Sequence, residues 1–235
     1  MKPIKVLFFF SFIGLMGASW PLNWMINHPN SEVFGSNSWI EKEVRIIQSE
    51  TSGLNPKVLR LSLKAYVKAH KNGLVDKDLL TIIDYSKPST EKRLWVFDVK
   101  HGRELFYTWV SHGKNTGGVN ATSFSNSPGS LKSSLGVFVT DTTPYMGGNG
   151  YSLRMHGLEA GINDKAYDRD IVFHGAWYVN PATIKRYGQI GRSWGCPAVS
   201  DGLAKSIIDT IKSRTVVIAY YPDRHWLTHS KFITG

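Results

Sequence analysis

Residues 191–198 read Gly-Arg-Ser-Trp-Gly-Cys-Pro-Ala and contain Cys196, the one cysteine of the 235-residue chain. The glycines before the thiol predict a tight turn that brings the sulfur to a surface. Backbone amides in such a turn can also donate hydrogen bonds to an oxyanion. A single cysteine cannot form a disulfide within its own chain. Cys196 is therefore a buried apolar residue, half of an intermolecular bridge or a reactive thiol.

A histidine precedes this turn in the chain. Residues 171–175 read Ile-Val-Phe-His-Gly, which predicts that His174 lies at the end of an apolar strand. A free thiol ionises near a pH of about 8.5, so a nucleophilic cysteine needs a base or a positive charge nearby. His174 is the candidate base, and Arg192 is a candidate source of positive charge. The alternative is a structural histidine beside a buried cysteine.

The first 19 residues have the pattern of a secretory signal peptide. Lys2 and Lys5 precede an apolar run at 6–16, and residues 17–19 are small enough for cleavage. A membrane span needs about 20 apolar residues, so a retained anchor is the less favoured alternative. We therefore predict an exported protein of the periplasm or wider cell envelope, with no stable membrane anchor after cleavage.

The chain is basic, with a formal net charge of +10. The charge falls to +8 once residues 1–19 are removed, because they contain two lysines and no acid. Such a charge attracts anionic polymers, and export favours an acidic cell-wall polymer over nucleic acid, which is not predicted as a partner. The basic residues between 42 and 71 are scattered, so a solvated basic face explains them equally well.

The pattern of the remaining chain predicts a β-dominated α+β fold with a helical N-terminal extension. The predicted domains are a signal peptide at 1–19, a linker and helical extension at 20–90, and a catalytic domain at 91–235. Helices are predicted around 40–47, after Asn55-Pro56, and at 77–83, 181–187 and 203–212. Strands are predicted at 94–99, 104–111, 135–140, 151–156, 171–174 and 216–220, with a long loop at 112–134.

Together these segments resemble the catalytic domain of the murein L,D-transpeptidase family (YkuD-like). That family carries a His-Gly pair followed by Ser/Thr-His-Gly-Cys, and this chain has His174-Gly175 followed by Ser193-Trp194-Gly195-Cys196. One branch reads Gly-Arg-Ser-x-Gly-Cys-Pro-Ala, as residues 191–198 do. The resemblance extends over about residues 80–222. It runs through residues 92–96, 111–115, 124–126, 134–136 and 156–163.

The resemblance implies a mixed β-sheet or sandwich with a few short helices, and an enzyme that acts on peptidoglycan. Cys196 would attack a tetrapeptide stem and expel its terminal D-alanine, forming a thioacyl-enzyme, with His174 as the base. Transfer to an amine would make the protein an L,D-transpeptidase, and transfer to water an L,D-carboxypeptidase. Stem peptides are the implied partner, and no cofactor is implied.

The resemblance also assigns supporting roles. The carbonyl of Gly175 would orient the imidazole, and the turn formed by Ser193, Gly195 and Cys196 would supply oxyanion donors from the last two amides. The candidate substrate-binding residues are His156, Arg192, Trp194 and Arg154. Two positions depart from the family pattern: Trp194 replaces a histidine, and Pro197-Ala198 replaces the usual Arg or Asn. Arg192 or Arg154 would then supply the missing positive charge.

Other classes fit the sequence less well. His112, His156 and His174 lack the spacing of metal ligands, so no metal site is predicted. The serines of the 112–134 loop lack a Gly-x-Ser-x-Gly elbow, and no papain-like sequence surrounds Cys196. These absences disfavour a serine hydrolase and a general cysteine protease. The remaining alternative is a non-catalytic cell-wall-binding module, which the departures at Trp194 and Pro197 favour.

Overall fold

The computed structural model describes residues 33–234, so the predicted signal peptide lies outside the described residues. Within that range, no helix has both the length and the apolar character needed to cross a membrane. The helices are α1 (Asn37–Glu50), α2 (Pro56–Lys71), α3 (Pro181–Tyr187), α4 (Asp201–Ile211) and α5 (Arg224–His229). The strands are β1 (Leu79–Asp84), β2 (Leu94–Asp98), β3 (Arg103–Thr108), β4 (Gly136–Thr140), β5 (Tyr145–Gly147), β6 (Gly150–Gly157), β7 (Val172–Gly175), β8 (Ala198–Val199) and β9 (Val216–Tyr220).

Two helices begin the described part of the chain, as the sequence predicts. Helix α1 follows Ser36, whose hydroxyl accepts a hydrogen bond from the Trp39 amide at 3.1 Å. Helix α2 follows Asn55, whose side-chain oxygen accepts from the Lys57 amide at 2.9 Å. Pro56 occupies the first turn, where the helix needs no amide donor. The apolar sides of both helices pack against the sheet, so they form part of the core.

The helix predicted at 77–83 is wrong, because Leu79–Asp84 forms strand β1. This strand pairs antiparallel with β2 and parallel with β9, and all but its first residue are buried. A strand that is buried on both faces lacks the alternation of polar and apolar residues, so periodicity cannot distinguish it from a buried helix. The sheet therefore begins before residue 91, within the range predicted as the helical extension.

One sheet of nine strands forms within the described residues, in the order β3-β2-β1-β9-β4-β6-β7-β8, with β5 paired to β6. Side chains of the central strands alternate between two apolar cores. On β9, Val216 and Ile218 face the core that contains α1 and α2. Val217 and Ala219 face the second core, which contains α4. The predicted β-dominated α+β fold is confirmed.

The two outer strands of the sheet are joined through the chain that adjoins them. Residues 111–114, which follow β3, run beside residues 193–198, which lead into β8. We call the backbone hydrogen bonds between these two segments the closing seam, and their N–O distances are 2.8–2.9 Å. They run from Ser111 N to Ala198 O, from Ser193 N to His112 O, and from Lys114 N to Ser193 O. Since β3 and β8 end the strand order, the seam nearly closes the sheet into a barrel.

Gly113 is one of the positions in the closing seam that leave no room for a side chain. A Cβ at this residue would lie 2.4 Å from the Leu131 carbonyl oxygen and 3.0 Å from the Gly195 Cα. We expect Gly113→Ala to lower the free energy of unfolding by about 1–3 kcal/mol, since overpacking a buried contact costs about that much. Thermal unfolding against the wild-type protein measures the loss.

Gly202→Ala is the matched control, because a Cβ added at residue 202 has nothing within 4 Å. This residue lies in α4, where alanine is favoured over glycine by up to about 1 kcal/mol, so stability should stay equal or rise. If Gly113→Ala unfolded at the same temperature as the wild type, the result would contradict the close contact of residue 113 with Leu131 and Gly195.

Candidate active site

His174 lies near the end of β7 and is oriented by its neighbour. Its Nδ1 lies 2.7 Å from the Gly175 carbonyl oxygen. A carbonyl oxygen only accepts, so Nδ1 carries the hydrogen and Nε2 presents a lone pair. Burial lowers the pKa of His174, while the Gly175 hydrogen bond and the charge of Asp201 oppose that shift. The imidazole is therefore neutral at neutral pH and can accept a proton at Nε2.

Cys196 lies beside the strand that carries His174. Strands β7 and β8 are parallel, and His174 pairs with Ala198, two residues after the cysteine. The thiol is buried, with 7% of the residue exposed. Its Sγ donates to the backbone carbonyl of Asp170 at 3.4 Å. The pairing thus brings the thiol and the imidazole of the predicted site to neighbouring segments.

The thiol of this structure is protonated and bonded to Asp170. Burial raises the pKa of Cys196 and the charge of Asp170 adds to the rise, while a hydrogen bond from the Val172 backbone and then the charge of Arg169 only partly oppose it. Within the described residues, no hydrogen bond joins Cys196 to His174. The pair is therefore a neutral thiol beside a neutral imidazole, and the thiol must turn from Asp170 before His174 can accept its proton.

Ser193 fixes the shape of the cysteine turn. Its hydroxyl donates to the Cys196 carbonyl at 2.7 Å and accepts from the Gly195 amide at 3.1 Å. Of the two amides expected to bind an oxyanion, that of Gly195 is thus occupied, and that of Cys196 has no acceptor within residues 33–234. Gly195 has a φ of +128°, and a Cβ there would lie 2.8 Å from the Lys132 carbonyl oxygen. Glycine is required at this position.

Ser133 and Arg169 are site residues that sequence reasoning missed. The Ser133 hydroxyl accepts from the Gly113 amide at 3.0 Å and donates to the Gly195 carbonyl at 3.1 Å. The Arg169 guanidinium donates to four oxygens of residues 125–134, which holds this loop beside the cysteine turn. A sequence signal existed for Arg169, since a run of three charged residues at 168–170 directly precedes an apolar strand.

A buried arginine supports the closing seam. Arg93 is fully buried and donates to the carbonyls of Val110 and Lys87 and to Nδ1 of His112, the last at 2.7 Å. Because a guanidinium only donates, Nδ1 of His112 is the acceptor. Burial, and then the charge of Arg93, lower the pKa of His112 to about 4. His112 is a neutral core residue, and residues 33–234 contain no cluster of three side chains suited to a metal ion.

Two of the predicted substrate-binding residues lie on the cysteine turn. Trp194 is 73% exposed, with the Lys114 Nζ 5.8 Å from the centre of its ring. Arg192 donates to the carbonyls of Lys114 and Gly117 at 3.2 and 3.0 Å. Arg192 therefore holds residues 114–117 beside the cysteine turn, and the structure shows no contact between Arg192 and the thiol.

The other two lie on β6. Arg154 pairs with Val172 on β7, in the register that pairs Ser152 with His174, so Arg154 and His174 share a face of the sheet. Its guanidinium lies 2.5 Å from the Asp170 carboxylate. His156 stacks on Tyr167 and lies 3.5 Å from the Asp141 carboxylate. His174 and Gly175 lie on the strand beside the cysteine turn, Ser193, Trp194 and Gly195 lie on the turn itself, and Arg154 shares a face of the sheet with His174.

The ionisation of the thiol is directly measurable, because the chain has one cysteine. Burial raises the pKa of Cys196 above the ordinary value of a free thiol, so we expect alkylation by iodoacetamide to keep accelerating with pH beyond the midpoint of about 8.5 typical of a free thiol. Intact-mass measurement of the alkylated fraction between pH 6 and about pH 10 gives the profile. The urea-unfolded chain is the control and should titrate at the ordinary value. A folded-state midpoint below that of the unfolded chain would contradict the neutral pair.

The chain is similar to known proteins of one family. Solved structures similar to the chain include an L,D-transpeptidase from Mycobacterium smegmatis, at 16% identity and a TM-score of 0.36, over 61% of this chain and 59% of that one. Others are L,D-transpeptidase 1 from Mycobacterium tuberculosis (13%, TM-score 0.35, 61% and 62%) and L,D-transpeptidase (Yku) from Stackebrandtia nassauensis (12%, TM-score 0.38, 79% and 77%).

The chain thus spans about three fifths of the length of the first of these structures. A search of curated proteins gives no match. The family model described as "L,D-transpeptidase catalytic domain" matches residues 50–220. That range is well over half of the chain, so the protein belongs to the L,D-transpeptidase catalytic domain family, a family of enzymes that act on the cell wall.

Proposed function

We propose that the protein is an exported, cysteine-dependent L,D-transpeptidase that acts on peptidoglycan tetrapeptide stems through a thioacyl-enzyme on Cys196. The observation that carries the proposal is the placement of the single cysteine on a glycine turn beside His174, whose Nδ1 is fixed by the Gly175 carbonyl at 2.7 Å. Family membership supports the reaction class, and the predicted signal peptide supports a place in the periplasm or cell envelope.

The first step transfers the thiol proton. Since Nδ1 of His174 is a donor to Gly175, Nε2 is the atom that receives the proton from Cys196. The lowered pKa of His174 makes the imidazole a weak base in the resting site. The transfer becomes favourable as the thiolate forms a bond to the stem carbonyl, because the sulfur then loses its negative charge to the substrate oxygen.

The thiolate attacks the carbonyl carbon that precedes the terminal D-alanine of the stem. The carbonyl oxygen becomes an oxyanion, which the free Cys196 amide is available to stabilise. Collapse of this intermediate breaks the carbon–nitrogen bond, and His174 returns the proton to the departing amine of D-alanine. The product is a thioester between Cys196 and the shortened stem.

The thioester then passes to a second nucleophile. An amine from a neighbouring stem loses a proton to His174, attacks the thioester carbonyl and releases the Cys196 thiolate, which recovers the proton. Water following the same route would give the shortened stem and make the protein an L,D-carboxypeptidase. The basic mature chain, predicted at +8, is suited to an anionic wall in either case.

We expect Cys196→Ala to abolish release of D-alanine from tetrapeptide muropeptides, and His174→Gln to reduce its rate by about 10²–10⁴-fold, the contribution of a general base. Mass spectrometry of the muropeptides and of the intact protein measures the product and the acyl-enzyme. His101→Gln is the matched control, since His101 is an exposed hairpin residue bonded to Asp98.

Adding an amine acceptor to the same assay separates the two reactions. A transpeptidase forms the cross-linked product at the expense of the hydrolysed stem, whereas a carboxypeptidase leaves the product unchanged. Cys196→Ala and the wild type could instead release D-alanine to the same extent and bind the wall equally well. That result would identify a non-catalytic wall-binding module and refute the proposal.

A further inference from the structure

Arg154 is held in a fixed position while its anionic partner remains open to solvent. The guanidinium carbon lies 5.2 Å from the ring centre of Tyr145 and 4.9 Å from that of Tyr167. Both rings lie within the range of a cation–π contact, so they favour a cation at this point and restrict its movement. The carboxylate that it binds belongs to Asp170, whose side chain is 72% exposed. An exposed ion pair of this kind contributes little net free energy, so another carboxylate can replace Asp170.

Asp170 contacts the active site through two groups at once. Its backbone carbonyl accepts the hydrogen bond of the Cys196 thiol at 3.4 Å, and its carboxylate binds Arg154 at 2.5 Å. The residue has a φ of +53°, in the left-handed region that aspartate tolerates better than most residues. One residue therefore presents a carbonyl to the thiol and a carboxylate to the arginine.

The same pair of groups occurs at the end of a peptide chain. In aspartate, the backbone carbonyl carbon is separated from the carboxylate carbon by Cα and Cβ. In a peptide that ends one residue after the scissile bond, the scissile carbonyl carbon is separated from the terminal carboxylate carbon by N and Cα. The number of covalent bonds is the same, so both units can span from the Cys196 sulfur to the Arg154 guanidinium.

We propose that Arg154 is the binding site for the terminal carboxylate of the donor peptide, and that Asp170 occupies this site until the substrate replaces it. This proposal rests on the proposed function for its substrate. It adds which feature of the stem the enzyme recognises, namely the position of the free terminal carboxylate. A stem fits when it ends in a free carboxylate one residue beyond the bond that is broken. The departing amino acid takes that carboxylate with it, and Arg154 returns to Asp170.

The other two arginines near the cysteine turn donate their hydrogen bonds to backbone and hydroxyl oxygens. Arg169 donates to four oxygens of the 125–134 loop. Arg192 donates to two backbone carbonyls of the 114–117 turn. Neither has a carboxylate that a substrate could exchange for its own. Arg154 binds a side-chain carboxylate and shares the face of the sheet that carries His174.

The first test compares a tetrapeptide stem that has a free terminal carboxylate with the same stem ending in a carboxamide. We expect wild-type kcat/KM to fall at least about tenfold with the amide, since a hydrogen bond to a charged group is lost. In Arg154→Met this preference should disappear, and in Arg154→Lys it should be partly kept. Asp170→Asn should lower KM for the free acid, because a neutral amide competes less well for Arg154.

The second test needs no turnover. Iodoacetate and iodoacetamide alkylate the same thiol and differ in the charge of a carboxylate-sized group. Substitution of Arg154 by methionine should lower the ratio of the iodoacetate rate to the iodoacetamide rate by about tenfold, and Asp170→Asn should raise the ratio. Arg186→Met is the matched control, since Arg186 lies on α3 against the Tyr187 ring and should leave the ratio unchanged.

The outcomes separate this proposal from the proposed function. Turnover of the free acid and the amide at equal rates, with an alkylation ratio that does not respond to Arg154→Met, would overturn the carboxylate site and leave the enzyme activity standing. No turnover of either stem, with a ratio that falls in Arg154→Met, would refute the proposed function and support the carboxylate site. Thermal unfolding of each variant checks that the protein is folded.

Discussion

The closing seam is the contact on which the rest of the site depends. Its hydrogen bonds join residues 111–114 to residues 193–198, and these two segments adjoin the outer strands of the sheet. The same 193–198 segment carries the thiol and continues into β8, which pairs with β7, the strand that carries His174. One set of backbone hydrogen bonds therefore nearly closes the sheet and also holds the thiol beside the strand that carries His174. Gly113 and Gly195 allow the two backbones to approach closely enough to form it.

Buried polar groups hold the seam in its place. Arg93 is charged and fully enclosed, a situation that costs several kcal/mol unless every donor is satisfied. Its donors go to backbone carbonyls and to His112, and the carbonyl of His112 in turn accepts the Ser193 amide. Arg93 therefore holds the side chain of His112, and the backbone of the same residue holds Ser193, which shapes the cysteine turn. Removing one member would leave the others buried without partners, which ties the site to the stability of the core.

The sequence was sufficient for the local parts of this arrangement. The helix start at Asn55 and the turn around Gly195 depend on a few neighbouring residues, and the structure has them where they are predicted. The sequence was insufficient for features that depend on a residue far away in the chain. Strand β1 was predicted as a helix because its identity depends on pairing with β9, and the contact between Cys196 and Asp170 depends on a turn that no periodicity describes. The Gly195 amide was expected to be free, and only the side-chain position of Ser193 shows that it is not.

The hydrogen bond from Cys196 to Asp170 has a consequence for the lifetime of the protein. Oxidants such as hydrogen peroxide react with the thiolate and require access to the sulfur. Here the sulfur is protonated, 7% exposed and covered by a backbone carbonyl. Cys196 is the one cysteine of the chain, so no second thiol of its own can reverse oxidation by forming a disulfide. Keeping the sulfur as a covered thiol slows its conversion to sulfenic acid, so the hydrogen bond to Asp170 also protects this thiol from oxidants.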